Sequence, residues 1–255
     1  MCYETTARPP LPPISGGAAA GELTTLKASD GNEFAAFSAQ AEKAGGPGIV
    51  ICPDVRGLHA FYEDLALRFA EAGIHATAFD YFGRTAGVSE RTDDFEFWPE
   101  VQKTKPDTIA ADVAATVAHL RSGAGGGATS IFTVGFCFGG RNSFNQAAEG
   151  HGLSGVIGFY GFVAPMNDED TSAPVAKAAA YECPVLGQFG GIDQMITADS
   201  VEAFGKALDA AGISNDLKIY EGAPHSFFDR AAEQFKDASE DSWRRMLEFI
   251  TSNSG

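Results

Sequence analysis

The residue with the strongest chemical signal in the sequence is Cys137, which lies in the run Gly135-Phe136-Cys137-Phe138-Gly139-Gly140. The short apolar run Ser130–Gly135 predicts a buried strand, and Phe138–Ala148 predicts a helix. A nucleophile on such a strand–turn–helix elbow sits in a strained turn, so the residues two before and two after it must be small, as Gly135 and Gly139 are. The turn also places the sulfur at a helix N-terminus, which favours the thiolate. The pattern predicts a cysteine nucleophile, and the alternative is a buried structural cysteine beside a glycine-rich turn.

Two further polar residues each follow a predicted strand. Asp193 comes after Pro184–Phe189, and His225 lies in a Gly/Pro loop after Leu217–Tyr220. Taken singly, each has an ordinary interpretation as a turn aspartate and a loop histidine. With Cys137 they stand in the order nucleophile, acid, histidine, which is the chain order of the α/β-hydrolase triad. The histidine of such a triad is the general base, and the acid holds its tautomer. The sequence therefore predicts these three as catalytic residues.

The elements that must position these residues alternate between apolar strands and helices after a first hairpin. This alternation is typical of an α/β fold with a mainly parallel, twisted sheet covered by helices on both faces, and its chemistry is expected at the carboxyl ends of the strands. An extended N-terminal arm is predicted for residues 1–21, because they contain the run Pro9-Pro10-Leu11-Pro12-Pro13. Residues 22–255 predict a single domain, in which the irregular stretch 82–107 is a candidate lid.

Composition and charge narrow the classes of partner. The chain has 255 residues and a formal net charge of −16, so nucleic acid and anionic membranes are not expected partners. Its four cysteines are widely spaced without a C-x-x-C pair, which indicates a reducing compartment. No transmembrane run and no secretory signal are found, so a cytoplasmic location is expected. The oligomeric state is left open.

The sequence resembles the dienelactone hydrolase family from about residue 22 onward. The resemblance is carried by Gly-Phe-Cys-Phe-Gly-Gly at 135–140, Gly-Gly-Ile-Asp at 190–193 and Ala-Pro-His-Ser-Phe at 223–227, with further likeness at Tyr160-Gly161 and Phe79-Asp80-Tyr81. It implies an α/β-hydrolase fold with a cysteine nucleophile that hydrolyses dienelactone or related esters and lactones. It implies a small-molecule substrate and no metal or organic cofactor.

The resemblance also suggests residues around the nucleophile. The backbone N–H groups of Val55 and Phe138 are expected to form the oxyanion hole. Asp54 stands where the family has a carboxylate near the resting cysteine, and it is one carbon shorter than the glutamate of well-known members. Arg84 matches one of two arginines that bind a substrate carboxylate.

At the position of the second arginine the chain has Asp229, and Arg230 follows it. An aspartate there would repel a carboxylate, so we expect weak or absent preference for carboxylated lactones unless Arg230 substitutes. Several aromatic residues are candidates for the lining of an apolar acyl pocket, and packing in the core is the alternative for each. Tyr160 and Phe227 are assigned to the substrate site. The other candidates are Phe95, Phe97, Trp98, Phe138, Phe162 and Phe228.

Two alternatives to a dienelactone hydrolase-like enzyme remain open at this stage. One is a promiscuous carboxylesterase acting on small aryl or alkyl esters. The other, of a different class, is a redox-sensing or ligand-binding protein that keeps the fold without turnover and uses a low-pKa cysteine with a resolving partner. Cys52 is the candidate for such a partner, because it could lie near Cys137 in space.

Overall fold

The fold is built on one eight-stranded sheet, seen in a computed structural model that describes residues 7–12, 19–89 and 91–255. The strands are β1 (Ala20–Lys27), β2 (Glu33–Gln40), β3 (Pro47–Cys52), β4 (His75–Phe79), β5 (Ser130–Phe136), β6 (Gly155–Phe159), β7 (Val185–Gly190) and β8 (Asn215–Tyr220). Every one of these strands overlaps a predicted strand, because each is a short apolar or alternating run bounded by turn residues.

The helices connect these strands. They are α1 (Ala60–Glu71), α2 (Gly83–Ala86), α3 (Phe97–Val101), α4 (Pro106–Arg121), α5 (Phe138–Gln146), α6 (Pro174–Lys177), α7 (Ala198–Ala210) and α8 (Lys236–Asn253). The three short ones, α2, α3 and α6, were not predicted, since four or five residues are too few to show a helical period. The sequence predicts the last helix over Asp241–Ile250, and the structure begins it five residues earlier, at Lys236.

The strand order is β1-β2-β4-β3-β5-β6-β7-β8. The pairs β1–β2 and β2–β4 are antiparallel, and the other pairs are parallel. Cys52 pairs in register with Gly135, and Gly190 with Tyr220. The segments that follow β3, β5, β6, β7 and β8 therefore leave the sheet at one edge, where the predicted chemistry lies.

Helices cover both faces of the sheet, as predicted. On β3, Ile49 and Ile51 belong to one apolar core and Val50 and Cys52 to another, because successive side chains of a strand point to opposite faces. Helix α1 supplies Leu65 and Phe69 to the first core, and α4 supplies Val113 and Val117 to the second. Helices α1 and α8 also meet, since the rings of Phe69 and Trp243 are 4.9 Å apart.

Only part of the predicted N-terminal arm lies within the described residues. In residues 7–12 the carbonyl of Pro10 accepts a hydrogen bond from the indole N–H of Trp243 (2.8 Å), and Arg8 pairs with Asp64. Residues 1–6 and 13–18 of the arm lie outside the described residues, and the strand β1 begins at Ala20, two residues before the predicted domain boundary. The candidate lid, residues 82–107, contains α2 and α3 and is described except at position 90.

None of the helices in the described part of the chain combines the length and the apolar character that a membrane crossing needs.

Candidate active site

Cys137 stands between β5 and α5 in a tight, strained turn. Its φ is 57° and its ψ is −115°, and its N–H donates to the carbonyl of Phe159 (3.1 Å). A Cβ added to Gly139 would lie 2.0 Å from the carbonyl oxygen of Cys52, and one added to Gly135 would lie 1.9 Å from that of Gly139. Both neighbours must therefore be glycine, as the elbow pattern predicted, and the thiol is partly exposed at the first turn of α5.

Backbone strain among the described residues is concentrated at this edge of the sheet. The non-glycine residues with positive φ are Cys137, Tyr160 (φ 37°) and Ser226 (φ 61°). Each follows a strand, and Ser226 is the neighbour of His225. A non-glycine residue held in such a conformation costs about 1–3 kcal/mol and persists where the surroundings enforce it, most often at functional sites.

His225 and Asp193 are joined by a short hydrogen bond, because the loops after β7 and β8 leave adjacent strands. The distance from Nδ1 of His225 to Oδ2 of Asp193 is 2.6 Å. The other oxygen, Oδ1, accepts from the N–H groups of Met195 (2.9 Å) and Ile196 (3.3 Å). Burial raises the pKa of Asp193, but the His225 hydrogen bond and charge and these two amides outweigh it and hold the pKa below its usual value. An ionised carboxylate only accepts, so Nδ1 carries the proton and Nε2 is left as the basic nitrogen.

The loop between β3 and α1 is held by Asp80, which directly follows β4. Its Oδ1 accepts from the N–H of Leu58 (3.1 Å), and its Oδ2 accepts from that of Phe82 (2.8 Å). The guanidinium of Arg91 donates to both oxygens, through Nε (3.2 Å) and Nη2 (2.8 Å), and both side chains are buried. A buried ion pair thus ties the loops after β3 and β4 together.

The two predicted oxyanion donors lie in loops that are in contact. Val55 is buried in the β3–α1 loop, and Phe138 is the first residue of α5. Neither N–H is used in the turn, loop or side-chain hydrogen bonds found among the described residues. Gly139, one residue after Phe138, packs against the carbonyls of Cys52 and Pro53 at the start of the other loop.

Asp54 and Asp229 are two further buried carboxyl groups of this region. Asp54 is fully buried, and its Oδ1 accepts from the N–H of Arg56 (2.8 Å). Asp229 is 2% exposed, and burial, together with the charge of Asp54, raises the pKa of Asp229. The sequence did not indicate that the aspartate at the expected cationic position is buried.

Arg84 forms its ion pairs away from Cys137. Its guanidinium forms ion pairs with Asp30, in the β1–β2 turn, and with Asp112 of α4 (2.7 Å). Asp30 lies in the turn between β1 and β2, and the strands β4 and β3 stand between β2 and β5, the strand that Cys137 follows. The structure does not bring Arg84 to Cys137, and the predicted contact with a substrate carboxylate would require breaking both ion pairs.

Of the aromatic residues considered for the acyl pocket, Tyr160, Phe227 and Phe228 have no exposed surface. The rings of Tyr160 and Phe227 are 5.7 Å apart, and the ring of Phe228 is 4.6 Å from that of Phe159. These three are therefore packed in the core, and a substrate would reach Tyr160 or Phe227 only after a rearrangement. Trp98 is 59% exposed, and Phe138 is partly buried against the ring of Tyr81.

Cys52 and Cys183 are buried thiols. Burial raises the pKa of Cys52 well above its usual value, and burial with the charge of Glu182 raises the pKa of Cys183 to about 12. Within the described residues, no group of three or more His, Cys, Asp or Glu side chains is arranged to hold a metal ion.

The fold and these loops define an α/β hydrolase, and a structure with the same architecture is that of a Klebsiella pneumoniae protein described as "Putative Dienelactone Hydrolase". The TM-score is 0.80 at 26% identity, over 92% of this chain and 99% of that one. Residues 34–254 match the model of the dienelactone hydrolase family, so the chain belongs to that family and is a hydrolase. Proteins named "Putative carboxymethylenebutenolidase" are similar in sequence: one from Yersinia pestis is 29% identical over 228 residues (88% of this chain, 85% of that protein), and one from Salmonella typhimurium is 29% identical over 246 residues (94% and 90%).

Sequence reasoning missed the organising role of Asp80 and Arg91. Asp80 was noted only as part of the family resemblance, although its place directly after a buried strand is a signal for a residue at this edge. Arg91 lies in the irregular stretch after α2, where no periodicity connects it to Asp80, so nothing in the sequence marked the pair.

Proposed function

We propose that the protein hydrolyses ester or lactone bonds of small molecules through a cysteinyl thioester, with Cys137 as nucleophile, His225 as general base and Asp193 as the residue that orients the imidazole. The observation that carries the proposal is the 2.6 Å hydrogen bond from Nδ1 of His225 to Asp193, at the sheet edge where Cys137 stands on its strained turn. Similar proteins that carry the names of lactone hydrolases support the same class of substrate.

In the proposed mechanism, Nε2 of His225 takes the thiol proton and the sulfur of Cys137 attacks the carbonyl carbon. The oxygen of the tetrahedral intermediate accepts hydrogen bonds from the N–H groups of Val55 and Phe138. Collapse of the intermediate breaks the C–O bond, the leaving alkoxide takes the proton from His225, and the acyl group remains on sulfur as a thioester. His225 then removes a proton from water, the hydroxide attacks the thioester, and the thiol of Cys137 is regenerated as the acid leaves.

The redox-sensing alternative finds less support in the environments of Cys52 and Cys183, the other cysteines among the described residues. A resolving cysteine needs access and thiolate character, but Cys52 and Cys183 are buried and their pKa values are raised. The carboxylesterase alternative differs from the lactonase only in substrate. Because Arg84 is engaged by two carboxylates and Asp229 replaces the other expected cation, we expect neutral esters and lactones to be hydrolysed at least as well as carboxylated ones.

The chemistry is tested with an activated aryl ester at enzyme concentrations that allow a burst to be seen. We expect one equivalent of chromophore per active protein before steady turnover, and an acyl adduct on the peptide that contains Cys137. Cys137→Ala should abolish turnover, and Cys183→Ala is the matched control and should keep it, because this buried thiol precedes β7 and Asp193 follows the other end of that strand. Turnover by Cys137→Ala at the wild-type rate would overturn the proposal.

The class of substrate is tested with the same purified protein. A panel of neutral and carboxylated lactones and aryl esters of similar size, compared by kcat/KM, separates a lactonase from a general carboxylesterase. A location in the cytoplasm remains an expectation from the scattered cysteines and is tested by fractionation of cells.

A further inference from the structure

Asp229 is a buried carboxyl group that the proposed mechanism does not use. It lies four residues after His225 and is 2% exposed. Its Oδ1 accepts a hydrogen bond from the N–H of Arg230, and its Oδ2 has no donor of good hydrogen-bond geometry among the described residues. A buried carboxyl oxygen without a firm donor is costly as a carboxylate, so the site favours the uncharged acid.

The groups that face Asp229 belong to the catalytic region. The carboxyl of Asp54 comes from the loop after β3, the hydroxyl of Tyr160 from the end of β6, and the imidazole of His225 from its own loop. Tyr160 is held at a positive φ of 37°, and the centre of its ring is 4.9 Å from that of His225. Tyr160 thus has Asp229 at its hydroxyl end and the imidazole beside its ring.

We propose that Asp229 is a positioning residue for His225: as the uncharged acid it packs against the hydroxyl end of Tyr160, whose ring lies beside the imidazole. The proposal rests on the proposed function, because it takes His225 as the general base. It assigns to this chain's aspartate a structural use at a position where a cation for substrate was expected. Since Oδ2 is buried, Asp229 acts through Tyr160 and does not contact substrate.

The protonation state of Asp229 follows from these surroundings. Burial raises its pKa, the Arg230 amide lowers it, the charge of Asp54 raises it, and the Tyr160 hydroxyl and the charge of His225 lower it; the result is a pKa of about 8. The group therefore keeps its proton at neutral pH and loses it in mildly alkaline solution. Ionisation adds a negative charge beside Asp54 and at the hydroxyl end of Tyr160, and so disturbs the packing through which Asp229 positions the imidazole.

The pH profile of kcat/KM tests this proposal, measured with a neutral aryl ester. Wild type should lose activity with a midpoint near pH 8. Asp229→Asn keeps the shape of the uncharged acid without a titrating proton, so the loss near pH 8 should be absent. Asp229→Ala should lower kcat by about ten- to a hundredfold, as a misplaced catalytic group does, and asparagine should recover most of that loss. Tyr160→Phe removes the hydroxyl against which Asp229 packs, and its effect should not add to that of Asp229→Ala.

Asp237→Asn, a change of an exposed carboxyl near the start of α8, is the matched control and should keep the wild-type profile. An alkaline limb that is the same in Asp229→Asn and wild type, or kcat of Asp229→Ala equal to wild type, would overturn the inference. Failure of the proposed function is distinguishable, because it shows as turnover by Cys137→Ala whatever the Asp229 variants do. If Asp229→Ala does not fold, the profile of Asp229→Asn decides alone.

Discussion

Replacing Asp80 by asparagine should destabilise the protein strongly, because it leaves a buried guanidinium without its counter-charge. Asp80 accepts four hydrogen bonds, two from backbone N–H groups of Leu58 and Phe82 and two from Arg91, and the side chains of both partners of the ion pair are at most 2% exposed. An asparagine has one oxygen, so its amide nitrogen must face either Leu58 N–H and Nε of Arg91 or Phe82 N–H and Nη2.

The expected cost is about 3–5 kcal/mol, the range for breaking a buried ion pair by removing one partner. Two lost hydrogen bonds to a charged acceptor, at about 1.5–3 kcal/mol each, give a sum of similar size. This is a large part of the ~5–15 kcal/mol by which a domain is stable. Activity should fall as well, because Leu58 belongs to the loop that carries Val55.

Urea denaturation followed by tryptophan fluorescence measures the effect. Asp216→Asn is the matched control: Asp216 pairs with Arg245 at 2.7 Å but is 55% exposed, so its loss should cost only about 0–1 kcal/mol. In a double-mutant cycle, Asp80→Asn with Arg91→Leu should be less destabilised than the sum of the two single variants by about 0.5–3 kcal/mol. A cost below about 1 kcal/mol for Asp80→Asn, or strict additivity in the cycle, would refute the reasoning.

Three further predictions concern the proposed site. Asp193→Asn should lower kcat on an aryl ester by about four powers of ten, because the imidazole loses the carboxylate that selects its tautomer, and a near-normal kcat would remove Asp193 from the triad. Brief treatment with iodoacetamide should label Cys137 before Cys52 and Cys183, whose pKa values are raised, and peptide mapping that finds another order would contradict this. The folded protein keeps a proton on Asp229 that the unfolded chain releases, so this group's contribution to stability is full at low pH and falls between about pH 4 and 8 by ~1.4 kcal/mol per pH unit. The urea midpoint of wild type, measured relative to that of Asp229→Asn, should therefore fall from pH 5 to pH 7. A constant difference between the two midpoints would disprove the pKa shift.

The fold and the tight turn at Cys137 could be predicted because their signals are local. The run at Gly48–Cys52 is apolar and bounded by glycine and proline, and β3 was placed to within one residue. The glycines around Cys137 are required by contacts of less than 3 Å with backbone atoms, so the steric demand is visible in the sequence itself.

The charged partners could not be predicted, because pairing depends on which loops meet in space. Arg84 is 54 residues from Asp30 and 28 from Asp112 in sequence, and its guanidinium pairs with these two carboxylates and not with a group near Cys137. The burial of Asp229 could not be predicted either, because an aspartate that follows two phenylalanines in sequence does not show whether the loop packs it into the interior.

The strand order has a consequence for how the protein is made. From β5 onward the sheet grows outward in chain order, so each newly synthesised strand can join the edge formed just before it, and a domain made from its N-terminus can fold as it emerges. Cys137 is synthesised long before Asp193 and His225, and His225 follows the outermost strand. On the proposed mechanism, the nascent chain therefore carries an unassisted thiol, and hydrolysis begins only when translation has delivered β8 and the loop behind it.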